Sequence, residues 1–216
     1  TATPGPLRPV IVLAAADHGV AAEGVSAYPQ EVTRQMLANF AAGGAAICVL
    51  ARAAGAELIV VDAGVVEPYP HPQVRDLRLG RGTANATQGP AMTREQAVEA
   101  ILRGAALARE LAATGAGLVA LGEMGIGNTT SASAIVAVLL GREPAEVCGP
   151  GTGLDPDGVA RKIAVVRRML EVNRPDPDDP LDVLRAVGVF EIAVLAGLVV
   201  GSAVARCAVL LDGFIT

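Results

Sequence analysis

The sequence predicts an α/β protein: a parallel β-sheet flanked by helices, in a single domain over residues 1–216. Three observations predict it. Four short apolar runs alternate with longer segments of helical spacing, as parallel strands joined by crossovers require. Each run ends on an acid close to a glycine: Asp17, Asp62, Glu123 and Asp212. The chain is 52% hydrophobic but only 2% aromatic, without tryptophan. Its core is therefore built from Ala, Val, Leu and Ile, and small side chains let helices and strands approach closely in layers.

The elements follow in order. Val10–Ala15 reads as a buried strand ending in Asp17-His18-Gly19. Pro29–Phe40 and Gly44–Ala54 have helical spacing, with Gly55 as a stop. Leu58–Val61 is a second strand, and the polar, proline-bearing Pro68–Arg81 reads as loop. Thr93-Arg94-Glu95-Gln96 matches a capping box, which opens a helix to about Ala113. Leu118–Leu121 is a third strand, stopping at Gly122, and Thr129–Leu140 is an apolar helix closed by Gly141. Asp155-Pro156 reads as an N-cap with proline at the first helical position, starting a helix to about Val172. Arg174–Pro180 is loop, Leu181–Val187 and Phe190–Val204 are helical, and Ala208–Leu211 is the fourth strand. The result is a Rossmann-like three-layer arrangement, although the spaced glycines of a dinucleotide fingerprint are absent.

Composition narrows the function. A net charge of −5 with scattered basic residues argues against nucleic acid, which needs a clustered basic face. Cys48, Cys148 and Cys207 lie far apart, and the two histidines, His18 and His71, make no ligand spacing with them. No metal site and no disulfide framework is expected, which suits a reducing, cytoplasmic setting. No signal-peptide pattern opens the sequence, and the uncharged stretch Ile192–Ala205 is too short to span a bilayer, so no membrane partner is expected.

The chemistry concentrates in Gly117–Ser131, GLVALGEMGIGNTTS. An apolar strand gives way to an acid (Glu123), two glycines flanking one residue (Gly125, Gly127), a polar triplet (Asn128, Thr129, Thr130) and a helix. Backbone N–H groups and the positive end of the helix dipole meet at such a turn and favour an anion such as a phosphate. No lysine follows the last glycine, so it is not a Walker loop. The bland alternative is a helix start with glycines for a tight turn. Glycines recur at Gly149, Gly151 and Gly153, and Lys162 is the only lysine among 17 basic residues. A lone ammonium is a compact point charge suited to phosphate. The acids at the strand ends lie where parallel sheets place their ligand crevice, although Asp and Gly also simply favour turns and that accounts for at least half of them. His18 reads as a hydrogen-bonded structural histidine bordering the crevice, and His71, between two prolines, as exposed.

Four segments resemble nicotinate-nucleotide:dimethylbenzimidazole phosphoribosyltransferases: Ala16–Met36 (ADHGVAAEGVSAYPQEVTRQM), Leu121–Ala134 (LGEMGIGNTTSASA), Gly149–Lys162 (GPGTGLDPDGVARK) and Val209–Phe214 (VLLDGF). The resemblance implies transfer of the phosphoribosyl group of nicotinate mononucleotide to a ring nitrogen of 5,6-dimethylbenzimidazole. Nicotinate leaves and the anomeric carbon inverts to α-ribazole 5′-phosphate. It also implies an α/β domain with a small helical domain, a homodimer, and no metal or organic cofactor. By the same resemblance, Gly125, Ile126, Gly127, Asn128 and Thr129 cradle the phosphate or ribose. Gly151 and Thr152 close the phosphate pocket and Lys162 supplies the cation. Glu123 serves the ribose and the reaction centre as a supporting catalytic group. Ser26, Tyr28, Gln35 and Met124 form the base pocket, and Asp212 lies at the crevice. A valine at Gly125 is expected to abolish nucleotide binding without unfolding the chain.

The family's general base is a glutamate beyond the position matching Thr216, and its N-terminal helical segment has no counterpart here. The chain thus resembles the central part of a longer family member, with slowed turnover expected. Two alternatives stay open: a transferase on the same scaffold that accepts another base, and a non-catalytic nucleotide-binding relative.

Overall fold

The computed structural model describes residues 7–216. Five parallel strands form one sheet in the order β3-β2-β1-β4-β5: β1 (Arg8–Ala16), β2 (Glu57–Gly64), β3 (Val74–Asp76), β4 (Ala116–Met124) and β5 (Ala208–Leu210). The centre of β1 is registered on both sides, Val12 opposite Ile59 of β2 and Leu121 of β4. Side chains alternate across the pleat, so each strand feeds two apolar faces. Val10, Val12 and Ala14 pack with Val119 and Leu121 under α3 (Arg94–Ala113) and α8 (Phe190–Val204), through Leu107, Leu111, Leu195 and Leu198. Leu13, Ala15 and Val60 face α1 (Glu31–Ala41) and α2 (Ala46–Ala53), through Leu37, Phe40 and Cys48. These are the three layers the alternation of elements predicts.

Small residues set how closely the layers sit. A Cβ on Gly104 of α3 would overlap the carbonyl oxygen of Val194 in α8, and one on Gly197 would overlap that of Ile101 in α3. The two backbones touch there, which only glycine permits. The smaller helical part comprises α4 (Asn128–Leu139), α5 (Pro144–Val147), α6 (Pro156–Asn173) and α7 (Pro180–Val187). Its own core joins Val25, Ala134, Val165, Val166, Met169, Val183 and Val187.

The caps match the sequence reading. Thr93 accepts from the Gln96 amide while the Gln96 side chain accepts from the Thr93 amide, and Asp155 accepts from the Gly158 amide at 2.7 Å. Other expectations need correction. The segment Pro68–Arg81 holds strand β3, whose three residues pair with Val60–Asp62 of β2. So short a strand shows too little alternation to stand out among prolines and charges. The four-residue helix α5 and a 3-10 turn at Gly19–Glu23 also escape periodicity for want of length. Strand β4 does not stop at Gly122; it runs through Glu123 to Met124 because the β1 ladder continues opposite, Ala14 to Glu123 and Ala15 to Met124. Glu31–Ala53 has the length and hydropathy of a membrane-crossing segment, but a turn around Gly43 (φ +74°) splits it into α1 and α2, and both pack on the sheet.

Candidate active site

The order of the strands reverses direction at β1. From there the chain builds outward to β2 and β3 on one side, and to β4 and β5 on the other. The crevice at such a switch lies beyond the carboxyl ends of the two central strands. Here it holds a hollow of about 160 Å³ lined by Val25, Ser26, Glu123, Met124, Gly125, Ile126, Gly127, Asn128, Thr129, Gly151, Thr152 and Ile215. A second hollow of about 340 Å³ adjoins it through Thr129 and Gly151 and reaches Ser133, Glu146, Val147, Cys148, Gly149, Lys162 and Phe214. Together they make a two-lobed cleft between the sheet and the helical part. A larger hollow, about 520 Å³, lies at the amino ends of β1 and β2. Four of its charges form the pairs Arg8–Glu57 and Arg75–Glu110, with Arg52 the further charged residue of its lining.

Glu123 is half-buried at the end of β4, and its carboxylate accepts from the Asn128 side-chain amide at the start of α4. Burial raises its pKa above the ordinary glutamate value; the Asn128 bond opposes that rise, and the nearby charge of Glu191 adds to it. Gly127 caps α4 with φ +93°, a left-handed conformation that favours glycine. The expectation of free amides at this turn needs trimming. The Asn128 and Thr130 amides donate to the carbonyls of Gly125 and Gly127, and the Ile126 amide donates to Thr33 Oγ1 at 3.1 Å.

The cation of the second lobe is Lys162. Its side chain is 1% exposed, and Nζ donates to Thr129 Oγ1 at 2.7 Å and to the Gly149 carbonyl at 3.3 Å. Among the described residues no carboxylate lies within ion-pair distance of it. Burial lowers its pKa, with Cys148 nearby acting slightly the other way. Gly151 (φ +54°) lies against this pair; a Cβ there would sit 3.2 Å from Thr129 Oγ1 and 3.6 Å from Nζ. A buried ammonium without a counter-ion is costly, and an incoming anion offsets the cost.

Most residues named from the sequence converge on this cleft: Ser26, Glu123, Met124, Gly125, Ile126, Gly127, Asn128, Thr129, Gly151, Thr152 and Lys162. Three do not. Tyr28 is 53% exposed, with its backbone amide on Ser26 Oγ. Gln35 is exposed and lines a separate hollow with Asp17, Gln30 and Arg34. Asp212 is exposed, its amide bonded to Thr216 Oγ1. Of the strand-end acids, Asp17 and Asp62 are buried: Asp62 Oδ1 accepts from the Gly64 and Val65 amides while Oδ2 lies 3.5 Å from Arg78 Nε, and Asp17 Oδ2 accepts from the Val66 amide. Asp62 is a turn acid, whereas Asp17 ties the end of β1 to the segment after β2, 49 residues away. His71 is half-buried and stacks on Tyr69 with ring centroids 5.6 Å apart, where an exposed side chain was expected. His18 is the structural histidine expected, but its partner Glu191 carries no sequence signal. Glu191 opens an apolar helix 173 residues away and is fully buried against the ring, with Nε2 3.0 Å from Oε2. Gly125 also has a second role. A Cβ there would collide with the His18 ring and lie 2.9 Å from Glu191 Oε1. Valine at this position therefore damages the fold as well as the cleft, contrary to the expectation from sequence. Among the described residues, no group of three or more His, Cys, Asp or Glu is placed to hold a metal ion.

Comparison with known proteins agrees with the geometry. A family model described as phosphoribosyltransferase (DBI_PRT) matches residues 1–216. A protein of Roseiflexus castenholzii named nicotinate-nucleotide–dimethylbenzimidazole phosphoribosyltransferase is 54% identical over 210 residues, 97% of this chain and 60% of its own length. One of the same name from Geobacter metallireducens is 50% identical over 214 residues, 99% of this chain and 61% of its own. The crystal structure of CobT from Thermus thermophilus superposes with a TM-score of 0.93 at 50% identity, covering 98% of this chain and 64% of that one. The chain thus spans about 60% of the length of the curated relatives it matches. Matched by the family model over residues 1–216 and about half identical to these relatives, the chain belongs to this phosphoribosyltransferase family.

Proposed function

We propose that the cleft binds nicotinate mononucleotide and transfers its phosphoribosyl group to 5,6-dimethylbenzimidazole, releasing nicotinate and forming α-ribazole 5′-phosphate. The observation that carries this reading is the buried Lys162 in one lobe, with no carboxylate of the described residues within ion-pair distance, next to Glu123 in the other. The names of the relatives support the substrates.

In this reading the phosphate enters the Lys162 lobe. Nζ moves one hydrogen bond from Thr129 or Gly149 to a phosphate oxygen, and Gly151 leaves the backbone open to it. The ribose then spans Thr129 and Asn128 toward Glu123. As the glycosidic bond to nicotinate breaks, positive charge grows on the sugar, and a carboxylate fixed by Asn128 stabilises that charge where it develops. The base approaches across Ser26, Val25 and Met124, apolar walls with few polar anchors, as a flat heteroaromatic ring requires. One ring nitrogen bonds to the anomeric carbon as nicotinate leaves with the glycosidic electron pair, and the proton of the other nitrogen passes to solvent. The protein works as a cytoplasmic homodimer without nucleic-acid or membrane partners, and residues 1–216 act as one domain.

The test is turnover with both substrates, following nicotinate and α-ribazole phosphate by chromatography. The expected result is equimolar formation of the two. Saturable nucleotide binding without nicotinate release would replace transfer by binding alone, and neither binding nor release would remove this reading.

A further inference from the structure

The cleft's central turn is held from behind by groups that the proposed chemistry does not use. His18 follows β1 and is fully buried. Its Nδ1 lies 3.0 Å from the Ile126 carbonyl oxygen, which can only accept, so Nδ1 carries a proton. On the other side Nε2 sits 2.9 Å and 3.0 Å from the two oxygens of Glu191, also fully buried, at the start of α8. One proton is shared across that contact. Whether it rests on the ring or on the carboxyl, the pair is neutral overall, which is why both groups tolerate complete burial. The remaining titratable neighbours are Asp17, adjacent in sequence, and Glu123, whose carboxylate feels both members.

The same residue is also held at its other backbone group, in the preceding peptide. The Ile126 amide donates to Thr33 Oγ1 of α1, itself fully buried. Ile126 is thus fixed at both its N–H and its C=O, by α1 and by the His18–Glu191 pair. The preceding residue has to be glycine because the ring occupies the space of its Cβ. Ile126 lies between Glu123 and Asn128, whose side chains bond across this turn at the mouth of the cleft.

We propose that His18, Glu191 and Thr33 form a positioning clamp that acts through the two peptides flanking Ile126 to hold the Gly125–Asn128 turn, and with it the Glu123–Asn128 pair, in the geometry that receives the nucleotide. This deepens the proposed function and rests on it for the identity of the ligand. The clamp itself can be read without a ligand.

The experiment joins nuclear magnetic resonance with binding. Long-range nitrogen spectra of the ring should show Nδ1 of His18 protonated throughout the neutral range; an unprotonated Nδ1 facing Ile126 would overturn the clamp. Nicotinate mononucleotide is then titrated into the parent chain, Thr33→Val, Glu191→Gln and His18→Leu, with amide exchange recorded for Ile126–Thr129. Thr33→Val leaves the buried pair intact, so it keeps the test open if His18→Leu fails to fold. Thr33→Val is expected to speed exchange at the turn selectively and to weaken binding about tenfold, the scale of one hydrogen bond to a buried amide. Glu191→Gln, whose amide can still meet Nε2, should lose less than His18→Leu. Parent binding with unchanged affinity and unchanged turn exchange in Thr33→Val contradicts the clamp. A parent chain that binds no nucleotide while its Nδ1 is protonated and its turn exchange responds as stated contradicts the nucleotide reading and leaves the clamp standing.

Discussion

Glu123 and Lys162 have opposite charges and share one predicament: each is drawn out of water by the fold without a full counter-charge. For Glu123 burial lifts the folded-state pKa above the unfolded value. An acid raised in this way contributes stability that is complete below its unfolded pKa and lost as pH rises through its folded pKa. Glu123→Gln removes that loss while keeping an acceptor for Asn128. The variant is therefore expected to melt above the parent at neutral pH and to match it near pH 4, with transfer reduced throughout; thermal melts across that range check it. Both residues could be found in the sequence, Glu123 because an acid follows an apolar run next to two glycines, Lys162 because it is the only lysine. Glu191 could not be found, since nothing local links the second residue of an apolar helix to a histidine 173 positions earlier. Tyr28 and Gln35 were drawn toward the cleft by their motif, but the turn into α1 directs them elsewhere.

At the scale of elements, the molecule depends on close backbone approach. Helices α3 and α8 touch at Gly104, Gly197 and Gly201, where added Cβ atoms would meet main-chain atoms of the facing helix. Gly104→Ala is expected to destabilise the chain by about 1–3 kcal/mol, the usual cost of overpacking, even though alanine is the better helix former. Denaturant melts would show it. The damage should spare nucleotide binding in the fraction that stays folded, because this contact lies among the core side chains of the sheet and away from the cleft. Long elements with caps were legible: the Thr93 box and the Asp155 cap are chemical signals that survive in any tertiary setting. Strand β3 and helix α5 were not, being shorter than the periods that would reveal them.

For the whole molecule, the order of strands decides where chemistry can occur. The sheet turns outward both ways from β1, and the helical part folds back so that α4 and α6 bring Thr129 and Lys162 together across 33 residues. Sequence alternation implied a parallel sheet but not its order, since pairing between distant strands leaves no local trace. The net charge of −5 repels anions at long range, so a phosphate must be drawn by one local cation. Because burial lowers the Lys162 pKa, that cation discharges as pH rises past the lowered value, and affinity for a phosphate should fall there. The most direct measurement is calorimetric titration of nicotinate mononucleotide, and of nicotinate riboside lacking the phosphate, into the parent chain and Lys162→Met. The account predicts that the variant loses about 10- to 100-fold in affinity for the mononucleotide, the scale of a charged hydrogen bond, and binds the riboside as the parent does. Equal losses for both ligands, or no loss for either, would contradict the placement of the phosphate at Lys162 and with it the site.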